Sequence, residues 1–152
     1  MIATPNCIIL ADAEAVADAA AEQILHLVAT ANQEKRAFHF VLSGGKTPKQ
    51  LYKILSKSNL SWDTVHFYWG DERSVGPDHS DSNYKMAYDA LLSKINLPSA
   101  HIHRLQGEIA PELAACNYEK TIRSAFGLTP DDPAPSFDLV LLGMGTDGHT
   151  AS

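Results

Sequence analysis

Three short polar clusters contain the residues best suited to chemistry. They are SGGKT at residues 43–47, GDER at residues 70–73 and GMGTDGHTAS at residues 143–152. The first suits anion binding, the second supplies carboxylates beside a guanidinium, and the third places a histidine near a carboxylate. Each cluster follows a predicted strand, and ligands bind beyond the carboxyl ends of strands in doubly wound sheets. Their common position predicts one active site at one edge of one sheet.

The SGGKT cluster combines two glycines with the start of a predicted helix. Glycines allow close backbone approach, and the free amides and dipole of a helix N-terminus favour an anion. The same ending occurs in nucleotide-binding P-loops, but Phe40 stands where that motif requires its first glycine and Pro48 follows directly. We therefore do not expect a nucleotide. A plain turn, with Thr47 as N-cap and Pro48 as the first helical residue, is equally consistent with this stretch alone.

The GDER cluster places three charged residues immediately after a strand. Arg73 could clamp a phosphate with its planar guanidinium, and Asp71 could act as an acid/base or position another group. An Asp–Arg salt bridge or an exposed polar loop is the alternative. We assign Glu72 a structural role.

The third cluster surrounds Asp147 and His149 with glycines. Histidine is a natural general base near neutral pH, and a carboxylate two residues away can support it. A histidine that caps a glycine turn is the alternative, although the glycines favour close approach of a ligand. Neither Ser43 nor Ser152 lies in a G-x-S-x-G motif, so no serine nucleophile is predicted.

The histidines and cysteines do not form a recognisable metal motif. His101 and His103 share one face of a possible strand, but without another clustered ligand this pattern is typical of a half-exposed strand, and we predict no metal site. The two cysteines, Cys7 and Cys116, are far apart and outside any motif. They exclude a disulfide framework and fit a reducing compartment.

The clusters are positioned by alternating strands and helices. Apolar runs predict strands at residues 7–10, 38–42, 65–69 and 137–145, and possibly 101–105. Helical spacing and stop signals predict helices at residues 13–31, 48–55, 84–95 and 111–126. On the first helix the expected buried stripe is Val16, Ala20, Ile24, Leu27, Val28 and Ala31. This alternation predicts an α/β fold with an open, doubly wound, mostly parallel sheet and helices on both faces, of the Rossmann-like type.

Length and charge limit the function further. The chain has 152 residues, is 45% hydrophobic and carries a formal net charge of −6. One domain spanning residues 1–152 is expected. The acidic balance argues against a nucleic-acid partner, which would need a basic face. The N-terminal stretch lacks a basic region and carries interrupting acidic residues, so neither a signal peptide nor a membrane span is predicted. We expect a cytoplasmic protein with no membrane partner.

The segments LSGGKTP, WGDERSVGPDHSDSN and FDLVLLGMGTDGHTAS resemble the motifs of the 6-phosphogluconolactonases. That family belongs to a sugar-phosphate superfamily that also holds the glucosamine-6-phosphate deaminases. The resemblance spans the chain, with the motifs in the family's order. Deaminases typically have a tyrosine after the Asp-Glu pair, where this chain has Arg73, and tend to read GHIAFNEP where this chain reads GHTAS.

The resemblance implies hydrolysis of 6-phosphoglucono-1,5-lactone to 6-phosphogluconate, in the pentose phosphate pathway. By analogy, His149 would activate water and return the proton to the ring oxygen, and Asp147 would orient the site. Asp71 corresponds to an acid/base position of the deaminases. The implied substrate-binding residues are Ser43, Gly44, Gly45, Lys46, Thr47 and Arg73. No metal or organic cofactor is implied, because an activated ester needs only a positioned water and charge stabilisation.

Family members continue beyond GHTAS with LFP and then further strands and helices, which contribute another basic phosphate ligand. Residues 1–152 would correspond to the N-terminal two thirds of such a protein, and the strand at 137–145 would lack part of its cover. A deaminase-type enzyme and a non-catalytic sugar-phosphate-binding protein are the alternatives. The sequence does not determine the oligomeric state; a monomer is expected.

Overall fold

The computed structural model describes residues 7–150. Its helices and strands follow in the order α1 (Ala13–Gln33), β1 (Phe38–Leu42), α2 (Lys46–Leu55), β2 (Val65–Trp69), α3 (Asn83–Ala90), α4 (Pro111–Ala125) and β3 (Leu139–Val140). Two short 3-10 helices, Leu92–Lys94 and Ser99–His101, lie between α3 and α4. The predicted bounds of β1 and β2 are confirmed, as is the start of α4 at its proline.

Three parallel strands form the sheet in the order β2-β1-β3. Strands β1 and β2 pair from Phe38 opposite Val65 to Leu42 opposite Trp69. Strand β3 pairs on the other side of β1, with Leu139 opposite Phe40. All carboxyl ends therefore lie at one edge, and the predicted parallel α/β sheet is confirmed.

Alternate residues of the strands pack against helices on opposite faces of the sheet. Phe38, Phe40 and Leu42 share one core with buried residues of α1 and α2. On the opposite face, His39 stacks on Phe126, the residue that follows α4, with ring centroids 3.9 Å apart. Helices thus cover both faces, as a doubly wound fold requires.

Helix α1 begins where the Asp12 carboxylate accepts a hydrogen bond from the Ala15 N–H at 2.9 Å. Its buried residues are Ala17, Ala21, Ile24, Val28 and Ala31. The sequence pattern placed Val16 and Leu27 on this stripe, but they are 41% and 40% exposed. The buried stripe is rotated toward the alanines, because their small side chains let the helix lie close to the core.

Three local predictions were wrong. Helix α2 starts at Lys46 with Gly45, and not Thr47, at the N-cap. Gly45 has a φ of 105°, which glycine adopts without strain, so the helix can begin two residues earlier than predicted. Residues 7–10 form no strand and are exposed. Residues 101–105 contribute only an isolated bridge between Ile102 and Phe67.

The apolar stretch at residues 137–145 was predicted to be one long buried strand that lacks part of its cover, and the predicted length was wrong. Only Leu139–Val140 form a strand, although the Leu141 N–H also donates to the Val41 carbonyl at 3.0 Å. Val140, Leu142 and Met144 are exposed. Within residues 7–150 no further strand pairs with the outer edge of β3.

Two further findings concern the surface of the described chain. No helix within residues 7–150 is long and apolar enough to cross a membrane. Cys7 and Cys116 are free thiols and both are exposed.

Candidate active site

The loops that follow β1, β2 and β3 line one cleft at the carboxyl edge of the sheet. The cleft has a volume of about 820 Å³. The predicted site residues in its lining are Ser43, Gly44, Gly45, Asp71, Arg73 and His149. Lys46 and Thr47, in the first turn of α2, and Asp147, in the third loop, are not part of the lining, and Ser152 lies outside the described residues. The structure therefore brings the three clusters together at one place.

The first loop leads into an uncapped helix N-terminus. No side chain caps α2, and Pro48 in its first turn has no N–H of its own. The amides of Lys46 and Thr47 are consequently the first-turn donors that an anion could use, with the positive end of the helix dipole behind them. Both side chains are exposed.

Tyrosine hydroxyls hold the ends of β1 and β2 in the same way. The Tyr52 hydroxyl accepts from the Ser43 N–H at 3.0 Å and donates to the Ser43 carbonyl at 2.8 Å. The Tyr118 hydroxyl accepts from the Trp69 N–H at 2.8 Å and donates to the Trp69 carbonyl at 3.0 Å. Burial raises the pKa of both hydroxyls, so both keep the proton that they donate. Each tyrosine fixes the backbone at which a site loop begins.

The second loop is attached to helix α3 through Glu72. Its carboxylate accepts hydrogen bonds of 2.7–3.1 Å from four donors, namely the N–H groups of Arg73, Asn83 and Tyr84 and the Ser82 hydroxyl. A carboxylate is favourable at a helix N-terminus, where unpaired N–H groups and the positive end of the dipole meet. These contacts support the structural role assigned to Glu72, which also lines the cleft.

The third loop carries His149 and Asp147 as a hydrogen-bonded pair, joined through His149 Nδ1 and Asp147 Oδ1. This hydrogen bond lowers the pKa of Asp147, so its carboxylate is ionised at neutral pH. Because an ionised carboxylate can only accept, Nδ1 carries the proton and Nε2 is the basic nitrogen. The His149 side chain is 67% exposed, so Nε2 is accessible to water and to a ligand.

Glycines shape the third loop around the imidazole. The Gly145 N–H donates to the His149 carbonyl at 2.8 Å, and the Gly148 N–H donates to the Gly145 carbonyl at 3.0 Å. A Cβ on Gly145 would lie 2.5 Å from His149 Nδ1 and 2.7 Å from Asp147 Oδ1. Any side chain at position 145 would therefore displace the histidine from its carboxylate partner.

Sequence reasoning missed three residues that hold the site, Tyr52, Tyr118 and Asn83. Both tyrosines lie in predicted helices, at 48–55 and 111–126, but helical spacing does not report where a hydroxyl points. Asn83 is the first residue of α3, behind the N-cap Ser82. A serine N-cap followed by asparagine is a helix-start signal, and it could have placed Asn83 beside the second loop.

The histidines of the opposite face lie away from the cleft. His66 Nδ1 and His103 Nε2 are 3.0 Å apart and share a hydrogen bond, and His101 stacks on His66. Burial, together with the neighbouring histidines, lowers the pKa of His66 and of His103 to about 4, so both are neutral at pH 7. In the part of the chain that the structure describes, no group of three or more His, Cys, Asp or Glu residues could hold a metal ion.

Fold and cleft together define a doubly wound α/β protein with an uncapped helix N-terminus and a histidine–carboxylate pair at the carboxyl edge of its sheet. The family described as glucosamine-6-phosphate isomerases/6-phosphogluconolactonase matches residues 11–152. The chain belongs to this family.

Relatives and solved structures agree with that assignment. A 6-phosphogluconolactonase of Nostoc sp. is 41% identical over 145 residues, which cover 95% of this chain and 60% of that protein. A 6-phosphogluconolactonase of Synechocystis sp. is 47% identical over 112 residues, covering 73% of this chain and 46% of the relative. The crystal structure of a 6-phosphogluconolactonase from Thermotoga maritima matches with a TM-score of 0.81 at 35% identity, covering 94% of this chain and 61% of that one. The chain thus spans less than two thirds of the length of each.

Proposed function

We propose that the protein hydrolyses 6-phosphoglucono-1,5-lactone to 6-phosphogluconate, and that residues 43–150 contain the phosphate-binding and general-base parts of that site. The observation that carries the proposal is that His149, hydrogen-bonded to Asp147, lines the same cleft as residues 43–45 and Arg73. A sugar phosphate lactone needs a phosphate site at one end and a base for water at the other. The names of the relatives support the same reaction.

The substrate's phosphate would bind at the N-terminus of α2. Gly44 and Gly45 line the cleft, and the first-turn amides have no side-chain cap. Arg73 reaches the same cleft from the second loop, and a guanidinium can bind two phosphate oxygens at once. The ion pairs found among residues 7–150 include neither Arg73 nor Lys46, so both cations can serve an anionic ligand.

His149 would act as the general base through Nε2. A water molecule attacks the lactone carbonyl carbon and gives a proton to Nε2, while Asp147 holds the proton on Nδ1 and stabilises the imidazolium. The bond between the carbonyl carbon and the ring oxygen then breaks, and Nε2 returns the proton to that oxygen. The product is the open-chain acid, which ionises to 6-phosphogluconate, and the histidine is neutral again.

Asp71 would have a supporting role in this scheme. It lines the cleft just beyond the carboxyl end of β2. We propose that its carboxylate positions the water or a sugar hydroxyl. No step requires a metal or organic cofactor, because a lactone is an activated ester and a positioned water suffices.

The test is a direct assay of the intact polypeptide with two substrates. Proton release from 6-phosphogluconolactone above the spontaneous background supports the proposal. Ammonia release from glucosamine 6-phosphate, without lactone turnover, would instead support a deaminase. Calorimetric binding of 6-phosphogluconate with neither activity would indicate a non-catalytic sugar-phosphate-binding protein.

We further propose that the protein works as a cytoplasmic monomer in the pentose phosphate pathway. The free, exposed thiols of Cys7 and Cys116 fit a reducing compartment. Light scattering during gel filtration should give the mass of one chain, and cell fractionation should recover the protein in the cytosol. A dimer mass, or recovery with membranes, would contradict these two points.

A further inference from the structure

Asn83 is a buried polar side chain at the second site loop, only 5% exposed. Its Nδ2 donates a hydrogen bond to the Asp71 carbonyl at 3.2 Å. Its backbone N–H donates to Glu72 Oε1 at 2.7 Å, and the same oxygen accepts from the Arg73 N–H at 2.8 Å. Asn83 is therefore hydrogen-bonded directly to Asp71 and Glu72, and it is linked to Arg73 through the Glu72 carboxylate.

The same side chain packs against Gly44 in the first site loop. A Cβ on Gly44 would lie 2.6 Å from Asn83 Cγ and 2.9 Å from Asn83 Nδ2, closer than atoms in contact can approach. Gly44 does not have a positive φ, so backbone conformation does not require glycine here. The asparagine amide occupies the space that a side chain at position 44 would fill.

From these contacts we propose that Asn83 is a positioning residue, which sets the separation between the Gly44–Gly45 turn and the Asp71–Arg73 loop. This inference rests on the proposed function, because both loops would bind the substrate's phosphate. The Asn83 amide keeps the first loop at a fixed distance through its contact with Gly44. Its Nδ2 hydrogen bond to the Asp71 carbonyl holds the second loop. Asn83 is not part of the lining of the cleft, so it acts through the two loops and not by touching the ligand.

The chemistry of this position favours asparagine over residues of similar size. Aspartate would place a carboxylate oxygen against the Asp71 carbonyl, where two acceptors repel, and would add a negative charge near the phosphate turn. Alanine would remove both the spacer and the donor. Both changes should loosen the two-loop arrangement while leaving His149 and Asp147 in place.

The test compares Asn83→Asp and Asn83→Ala with Asn117→Ala in the intact polypeptide. Asn117 is a matched control, since its Nδ2 donates to Gln106 Oε1 at 3.2 Å outside the cleft. We measure kcat and KM for the lactone, the Kd of 6-phosphogluconate by calorimetry, and Tm. Both Asn83 variants should raise KM and Kd on the order of tenfold or more, as misplaced binding groups do, with a much smaller change in kcat. Asn117→Ala should lower Tm and leave KM and Kd unchanged.

The outcomes separate this inference from the proposed function. If folded Asn83→Asp keeps the wild-type KM and Kd, or lowers kcat alone, the positioning role is overturned. A wild-type protein that binds 6-phosphogluconate without hydrolysing the lactone contradicts the proposed function, and the Kd comparison still decides the role of Asn83. A wild-type protein that does not bind 6-phosphogluconate overturns both. Should Asn83→Ala not fold, Asn83→Asp preserves the side-chain shape and supplies the comparison.

Discussion

Replacing Tyr52 by phenylalanine removes one hydroxyl from the core and leaves the ring in place. The ring is fully buried, so its packing against α1 and the sheet is preserved. The change deletes the two hydrogen bonds that hold Ser43, at 3.0 and 2.8 Å. Any effect of Tyr52→Phe therefore reports those two bonds and the backbone that they fix.

The expected loss follows from what such hydrogen bonds contribute. At a net 0.5–1.5 kcal/mol each, two bonds predict a decrease of about 1–3 kcal/mol in the free energy of unfolding. Ser43 is only partly buried, so water can reach part of its freed backbone. We therefore expect a value of about 1–2 kcal/mol, in the lower half of that range.

Urea denaturation at pH 7 measures the loss, with two comparison variants. Tyr118→Phe deletes the equivalent pair of bonds to Trp69 and should cost a similar amount. Tyr88→Phe is the control, because Tyr88 is 44% exposed and its change should stay within about 0.5 kcal/mol. If Tyr52→Phe destabilises the protein no more than Tyr88→Phe does, the Tyr52 hydroxyl does not hold the turn at Ser43 and the reasoning is refuted.

Three further predictions address the second loop and the histidine cluster. Arg73→Ala should raise KM for the lactone about tenfold or more with a small change in kcat, because it removes charge-assisted contacts to a group that does not react; steady-state kinetics with an unchanged KM would contradict it. Gly107→Ala should also raise KM, because a Cβ at position 107 would collide with the Arg73 carbonyl, lie 2.7 Å from the Val75 carbonyl and so displace the second loop. A wild-type KM would contradict this packing argument. Stability should fall as the pH drops from about 6.5 toward about 4, because His66 and His103 have a pKa of about 4 when folded and about 6.5 when unfolded, and the unfolded chain then binds more protons. The double variant His66→Gln/His103→Gln should show a weaker decrease in urea midpoint between pH 7 and pH 5 than the wild type does.

Local signals were enough to predict strands β1 and β2 and the position of the candidate site. The runs at 38–42 and 65–69 are strands with the predicted bounds, since each is apolar apart from one histidine and each is followed by a polar or glycine residue. The three polar clusters could be assigned to one cleft because parallel strands place their carboxyl ends at one edge. Pro111 and Gly127 likewise marked the start and end of α4.

The rest depended on contacts between distant residues. The stretch at 137–145 is as apolar as β1, but burial depends on what packs beside a strand, and Met144 is 80% exposed. The hydroxyls of Tyr52 and Tyr118 find strand ends in the folded chain that no helical spacing reveals. His103 bonds to His66, 37 residues earlier, so the HIH pattern alone could not indicate a histidine cluster.

The most direct test of the account is His149→Ala in the intact polypeptide, with lactone turnover corrected for spontaneous hydrolysis. The side chain is 67% exposed, so the fold and the Kd of 6-phosphogluconate should be retained. Turnover should fall by a factor on the order of 10² to 10⁴, the range for loss of a proton-transfer group. Near-native turnover by the variant would contradict the account and would make Asp71 the better candidate for the base.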